Sequence, residues 1–305
     1  MESILSASYF HSEAAAYQFI EARLWPHGPV CPKCGVIGNS VKLQGKSTRL
    51  GVYKCRDCRK PFRVTVGTIF EASHIPLNVW LQAVYLVASS KKGISSNQIH
   101  RALGVTLKSA WFMSHRIREA MRGGDLTPFG ADGGIVEIDE TYIGGKPRHM
   151  ASGEVRALRK MPVVALVERN GAARAWSVRR VTGKNVRRHI LKNIDAEARV
   201  MTDEANLYKS LDEHFASHES VNHSRKEWAR GDVTSNTVES FFALLKRGMY
   251  GTFHSVSEQH LHRYVDEFAF RWSHRMVDDG ARTLAAMKGS EGKRLTYRDT
   301  SGGAA

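Results

Sequence analysis

Three carboxylates, Asp139, Asp203 and Glu239, stand where secondary structure could hold them rigidly, and 35 residues separate the last two. Asp139 lies in Ile135-Val136-Glu137-Ile138-Asp139-Glu140-Thr141-Tyr142-Ile143. Strand alternation puts Val136 and Ile138 on one face there, and Glu137, Asp139 and Thr141 on the other, polar side. Asp203 closes the apolar run Arg199-Val200-Met201-Thr202-Asp203, as a buried strand does when its carboxyl end opens into a site. Glu239 belongs to a helix over about 235–250 in which Val238, Phe241, Phe242, Leu245 and Met249 recur at helical spacing. At about 100° per residue, Lys246 falls about 20° from Glu239, with Asn236 one turn back. Oxygen ligands from separate elements suit Mg²⁺ or Mn²⁺, and two such ions about 3.5–4 Å apart activate the attacking oxygen and stabilise the leaving one in an in-line phosphoryl displacement. A lysine two turns beyond the last carboxylate would reach a nearby phosphate. Simpler readings stand beside this one. Asn236-x-x-Glu239 is also a capping box, in which Glu239 only reaches back to a backbone N–H. Asp203 alone could be a loop acid, and Glu137, Glu140 and Glu204 read as solvated or supporting carboxylates.

All four cysteines fall in two pairs, Cys31-Pro32-Lys33-Cys34 and Cys55-Arg56-Asp57-Cys58, with 20 residues between them. Two such turns close a tetrahedral site for one structural Zn²⁺ per chain, leaving no position open for water. Disulfides are the alternative, favoured only in an oxidising compartment.

The sequence motifs resemble a known family. Val136-Glu137-Ile138-Asp139-Glu140-Thr141-Tyr142-Ile143-Gly144-Gly145-Lys146, Thr202-Asp203-Glu204, Asn236-Thr237-Val238-Glu239-Ser240-Phe241-Phe242 with Lys246-Arg247, Gly251-Thr252-Phe253-His254 and Arg263-Tyr264-Val265-Asp266-Glu267-Phe268 follow one another as in prokaryotic insertion-sequence transposases of the DDE class. The group resembled joins an N-terminal zinc ribbon to an RNase H-like (ISXO2-like) catalytic domain, and the resemblance covers roughly residues 10 to 280. It implies an α/β fold with a mixed sheet and metal-dependent strand transfer on double-stranded DNA, meaning the element's terminal inverted repeats and its target. It further implies two Mg²⁺ or Mn²⁺ per active site held by Asp139, Asp203 and Glu239, with Lys246 on a phosphate, and a homo-oligomer assembled on DNA. Some members of the group have asparagine as the third catalytic residue. This chain has both Asn236 and Glu239, and the 35-residue gap with a lysine seven positions on assigns the role to Glu239.

The 305 residues, 42% of them hydrophobic, suffice for one large domain and one or two small ones. Forty-five Lys+Arg against thirty Asp+Glu, a formal charge of +15, suit a chain that must approach phosphates and release counterions. No run reaches the roughly 18 apolar residues of a membrane span; Ile75 to Ala88, interrupted by Asn78 and Gln82, reads as a core helix opened by Pro76. The first residues lack the basic region of a secretory signal, so the expected location is cytoplasmic, at the nucleoid.

Four regions are expected. Residues 10–70 hold a helix capped by Ser12 and the zinc ribbon, with Lys42, Lys46, Arg49, Lys54, Arg56, Arg59, Lys60 and Arg63 among Tyr53 and Phe62, a basic and aromatic mixture suited to nucleic acid or simply to water. Residues 71–124 read as a helix-turn-helix or an ordinary helical hairpin, with Lys108 and Arg116 as DNA contacts. Residues 134–280 form the catalytic domain, three consecutive strands followed by alternating helix and strand, including a helix over 205–215. A basic, glycine-punctuated loop from 144 to 160 places Lys146 and Arg148 near DNA, joined by Asn236 and Arg247. Residues 281–305 read as a disordered tail. Scattered histidines, among them His254 and His262, read as polar side chains rather than ligands. A structure-specific nuclease on the same fold, and a non-enzymatic DNA-binding regulator using only the ribbon and helix-turn-helix, are the competing functions.

Overall fold

A computed structural model describes residues 3–124, 127–144 and 160–300, with the backbone alone of 148–149 and 155–156. The chain divides into two compact units, one of residues 1–121 with 277–305 and one of residues 122–276.

The first unit opens with α1 (Glu13–Leu24), whose start is set by the Ser12 hydroxyl accepting from the Ala15 N–H and whose inner face buries Tyr17, Ile20 and Leu24. The antiparallel strands β1 (Ser40–Lys42), β2 (Tyr53–Cys55) and β3 (Pro61–Phe62) follow in order. α1 is fastened to this sheet by Glu21, which accepts from the Tyr53 hydroxyl at 2.9 Å and the Lys42 ammonium at 3.0 Å. Gly51, at φ +70, lies so close to the Tyr17 ring that a Cβ would stand 2.4 Å from it, so no larger residue fits that turn. Three helices come next: α2 (Leu77–Ser89), α3 (Ser96–Leu103) and α4 (Leu107–Met121). A capping box between Ser95 and Gln98 starts α3, and left-handed Gly104 ends it.

The second unit is built on a five-stranded sheet. β4 (Ile135–Ile143) is followed by the short pair β5 (Arg148–His149) and β6 (Val155–Arg156), then by β7 (Met161–Glu168) and β8 (Ala173–Ser177). Next come α5 (Gly183–Asn193), β9 (Arg199–Asp203), β10 (Ser217–Val221), α6 (Asn236–Gly248) and α7 (Glu258–Ser273). The sheet order β10-β9-β4-β7-β8, with β4, β7 and β8 antiparallel and β9 and β10 parallel, is the RNase H-like mixed arrangement expected. Alternation along the strands divides the core. Val136, Ile138, Val164, Leu166 and Val200 pack with Val186 and Ile190 of α5, while Val163, Ala165 and Val167 pack with Val238, Phe241 and Leu245 of α6 and Phe268 of α7. β7 is therefore apolar on both faces. The helix expected over 205–215 is absent; only one 3₁₀ turn, Asn206–Tyr208, forms. Ser210 at φ +67 breaks the helical path, and an irregular segment buries Tyr208, Leu211 and Phe215.

The chain then returns to the first unit with α8 (Asp279–Lys288), capped by Asp278, and the short α9 (Tyr297–Thr300). Residues 281–300 are thus not the tail expected; Ala286, Met287, Leu295 and Thr300 are buried, and residues 301–305 lie outside the described residues. Their partner is α4. Arg116, expected to face DNA, is 5% exposed; its guanidinium donates to the carbonyls of Leu295 at 2.9 Å and Glu71 at 2.8 Å and lies over the Phe112 ring. Helical periodicity marked Arg116 as polar, but α4 is buried on nearly every side beyond its first turn, and a long cationic side chain satisfied by carbonyls fits such a place. Lys108, in the exposed first turn of α4, has its ammonium 4.8 Å from the Tyr297 ring.

Replacing Arg116 with alanine leaves two inward carbonyls without a charged donor and should cost about 2–4 kcal/mol of stability. Chemical denaturation checks this, and unchanged stability with weakened DNA binding would restore Arg116 to a DNA surface.

Candidate active site and zinc ribbon

Asp139 and Asp203 meet because of strand register. β4 and β9 pair in parallel as Ile135↔Arg199, Val136↔Val200 and Glu137↔Met201, and the ladder stops there. β4 continues against β7 alone and β9 against β10 alone. Asp139 and Asp203 are each two residues past the last pair, so they occupy equivalent positions where the carboxyl ends of two parallel strands part.

Glu239 is delivered by α6, and Glu137 places that helix. Glu137 is fully buried; one carboxylate oxygen accepts from the N–H groups of Thr237 at 2.6 Å and Val238 at 3.0 Å, the other from the Thr237 hydroxyl at 2.8 Å. Arg169, just beyond β7, donates to Glu137 at 2.7 Å and to the carbonyls of Asp232 and Thr234. A carboxylate of β4 thereby satisfies the open N–H groups of a helix that has no side-chain N-cap of its own. Glu137 stands two residues before Asp139 on the same strand face, so the anchor of α6 and the first carboxylate share one support. The capping-box alternative does not apply. Glu239 accepts from the Ser235 hydroxyl at 3.1 Å and approaches His223 Nε2 at 3.6 Å, while the Asn236 N–H that it would have capped goes to the Thr234 hydroxyl.

Electrostatics couples the three carboxylates. Asp139 is pushed up to about 7, mainly by burial, against a hydrogen bond from the Glu140 N–H and with the charges of Asp203, Glu140 and Glu239 adding to the rise. Among the described residues neither Asp139 nor Asp203 has a salt-bridge partner. The cysteines form the one group among the described residues whose ligand atoms all lie within 4.8 Å of one another; the carboxylates are more widely spread. Glu140, held high by burial, accepts from the Tyr208 hydroxyl at 2.5 Å. Glu204 is pulled down to about 2, first by the Ser224 hydroxyl, and accepts also from the N–H groups of His223 and Ser224. Both were read from sequence as supporting carboxylates, and here each fastens a loop beside the site.

The remaining expected residues are dispersed. Lys246 and Arg247 are exposed near the end of α6, and Asn236 is exposed in its first turn with its N–H on the Thr234 hydroxyl. Lys146 and the side chain of Arg148 lie outside the described residues. Sequence reasoning missed Arg169 and His223. Strand alternation set Glu137 beside Asp139, but nothing local links either to residues so distant in the chain.

In the ribbon, Cys31 Sγ lies 3.6 Å from Cys58 Sγ, and Cys34 Sγ 3.6 Å from Cys55 Sγ. All four cysteines are free. Four thiolates at about 2.3 Å from a tetrahedral Zn²⁺ stand about 3.8 Å apart, so the donor set fits the metal and not a disulfide pair. Tyr53 and Phe62, read as possible nucleic-acid contacts, instead pack with Trp25 behind the cysteines. Lys46, Arg49, Lys54, Arg56, Arg59 and Lys60 remain exposed.

Two outcomes are expected. Glu137→Ala leaves a half-buried guanidinium and two helix N–H groups without their carboxylate, and should lower the stability of the second unit by about 2–4 kcal/mol; a denaturation midpoint equal to wild type would show that α6 is held by its apolar face alone. Elemental analysis should find one zinc per chain, and Cys34→Ser or Cys55→Ser should release it and melt the ribbon, because thiolate ligation and folding are coupled. Protein purified reduced and chelator-free yet devoid of zinc would refute this.

Known proteins share both parts. Residues 11–61 match the transposase zinc-ribbon domain and residues 132–273 the ISXO2-like transposase domain, together more than half of the chain. A protein of the transposable element ISH50 from Halobacterium salinarum, itself uncharacterized, is 29% identical over 277 residues, which span 86% of this chain and 91% of the relative. With both domains present in this order, the chain belongs to the insertion-sequence transposases that join a zinc ribbon to an ISXO2-like transposase domain.

Proposed function

We propose that this transposase cuts and joins DNA at the ends of its insertion sequence through Asp139, Asp203 and Glu239. The observation that carries the reading is the placement of Asp139 and Asp203 at equivalent positions where β4 and β9 part, with Glu239 carried by a helix anchored on Glu137, two residues before Asp139.

The donor set fits a pair of hard divalent cations. It consists of carboxylate oxygens that, among the described residues, have no salt-bridging lysine or arginine, with Asp139 pushed up to about 7 mainly by burial and further by its acidic neighbours, and it is spread too widely for a single compact ion site. Bound Mg²⁺ or Mn²⁺ supplies activation of the attacking oxygen and charge stabilisation of the leaving one. Asp139, Asp203 and Glu239 would hold the ions. Hydrolysis at an element end releases a 3′ hydroxyl, which then attacks target DNA at the same carboxylates. Lys246 and Arg247 lie on the exposed surface of α6 about 10–12 Å along the axis from Glu239, where a neighbouring phosphate of the same strand would run. Asn236, Lys108, Lys146 and Arg148 are further proposed DNA contacts, and the active form is a homo-oligomer assembled on two ends.

A nuclease would use the same site without joining, and a regulator would bind without cutting. Incubation with Mg²⁺ and DNA carrying the element ends, scored for nicks and joined products, separates the three. Asp139→Asn, Asp203→Asn and Glu239→Gln should each reduce cleavage and joining by at least ~10³-fold, about 4 kcal/mol of barrier, with end binding largely kept. Asn236→Ala should lose less than Glu239→Gln. If folded Glu239→Gln works at the wild-type rate while Asn236→Ala is dead, the third catalytic residue is Asn236.

A further inference from the structure

The loop between β10 and α6 carries an aromatic residue that the proposed chemistry does not use. Trp228 is 61% exposed, more than any other described tryptophan, tyrosine or phenylalanine. The loop that presents it is firmly tied at both ends. Glu204 accepts from three donors of His223 and Ser224, the Asn222 N–H donates to Glu227, Arg230 donates to the Ser220 carbonyl, and Arg169 and Arg199 hold Asp232. The indole is thus presented to solvent by a loop whose backbone and side chains are hydrogen-bonded on both sides of it.

Its neighbours point to a ligand. The Trp228 ring leans on His223, with centroids 4.9 Å apart at 39°. His223 Nε2 is in turn 3.6 Å from Glu239 Oε1 and 3.4 Å from Ser235 Oγ. Glu239, His223 and Trp228 thus form an unbroken row from the carboxylates outward, short enough to be spanned by one or two nucleotides. Arg225, Lys226 and Arg230, each within three residues of Trp228 in the chain, are exposed, so the loop that carries the indole is basic rather than apolar. A flat π-face among cations, beside a site that handles phosphodiesters, matches a nucleobase. In intact duplex the bases cover one another's faces and show only their edges, so the base in question has left the stack.

We propose that Trp228 is a stacking platform for an unpaired nucleobase next to the phosphodiester being cut or joined, with His223 holding the indole in place beside Glu239. The proposal rests on the DNA-cleaving and joining function above and adds that the substrate is opened, not read as continuous duplex.

The test uses the full-length zinc-loaded chain in Ca²⁺ and three fluorescein-labelled duplexes of one sequence: blunt, with a few unpaired nucleotides at a 3′ end, and with the same number at a 5′ end. Base stacking on an aromatic is worth a factor of roughly 5 to 150 in affinity. Fluorescence anisotropy should show at least one frayed duplex binding more tightly than the blunt one by about that factor. Trp228→Ala should erase the difference while leaving blunt-duplex affinity unchanged, and Trp228→Phe should keep most of it. 2-Aminopurine at the first unpaired position should be quenched by wild type and Trp228→Phe but not by Trp228→Ala, whose fold circular dichroism verifies. Equal wild-type affinity for all three duplexes, or a preference that survives Trp228→Ala, overturns the stacking proposal alone. Failure of wild type to bind any of them removes the DNA-processing reading and this proposal together.

Discussion

A carboxylate inside the sheet holds the helix that completes the site. Glu137, fully buried on β4, accepts hydrogen bonds from the first turn of α6 and is balanced by Arg169 from the end of β7. A buried charge is tolerable only when paired and hydrogen-bonded, and here it meets both conditions with groups that themselves need partners: a guanidinium and the open N–H groups of a helix terminus. Arg169 also reaches the carbonyls of Asp232 and Thr234, so one ion pair joins the central strand, the loop before α6 and α6 itself. The apolar face of α6 then packs on β7 through Val238, Phe241 and Leu245. Packing sets how deep the helix lies, while directional bonds to Glu137 fix where along the sheet it starts.

That precision matters because the carboxylates it assembles repel one another. Asp139 near Asp203 and Glu239 is held high by burial and by its acidic neighbours, an arrangement that destabilises the site unless cations occupy it. The surrounding structure absorbs the cost through rigid attachments on every side. Glu204 fastens the end of β9 to the segment after β10, and Tyr208 secures Glu140. Such a scaffold keeps the acids in place whether or not a substrate is near, which is what pre-organised electrostatic catalysis requires.

The first unit solves a different problem with the same economy. A ribbon of three very short strands buries little apolar area, so its core consists of the cysteines themselves with Trp25, Tyr53 and Phe62. The neighbouring helices are closed by the chain's return as α8 and by Arg116, whose two carbonyl partners come from Glu71, ahead of α2, and Leu295, after α8. Positive charge is thereby divided between the interior, where it ties backbone together, and the ribbon surface, where eight lysines and arginines between Lys33 and Lys60 stay exposed.

Much of this was legible in the residue order. Alternating Val136 and Ile138 marked β4 and the face its acids share, helical recurrence of Val238, Phe241 and Leu245 marked α6, and the cysteine spacing marked the ribbon, because each is a local pattern whose period equals that of the element it forms. What only the tertiary structure decided are pairings at long separation. The register that sets Asp139 opposite Asp203, the capture of the α6 terminus by Glu137, the burial of Arg116 against Leu295 and the contact of Trp228 and His223 with the surroundings of Glu239 depend on how elements lie in space. The segment after β9, expected as a helix over 205–215, folds as an irregular turn around Ser210, because covering the sheet with Tyr208, Leu211 and Phe215 outweighs a weak local preference. Periodicity says which face of an element is apolar; which partner that face meets, and which polar group is drawn in with it, is settled only when the whole core closes.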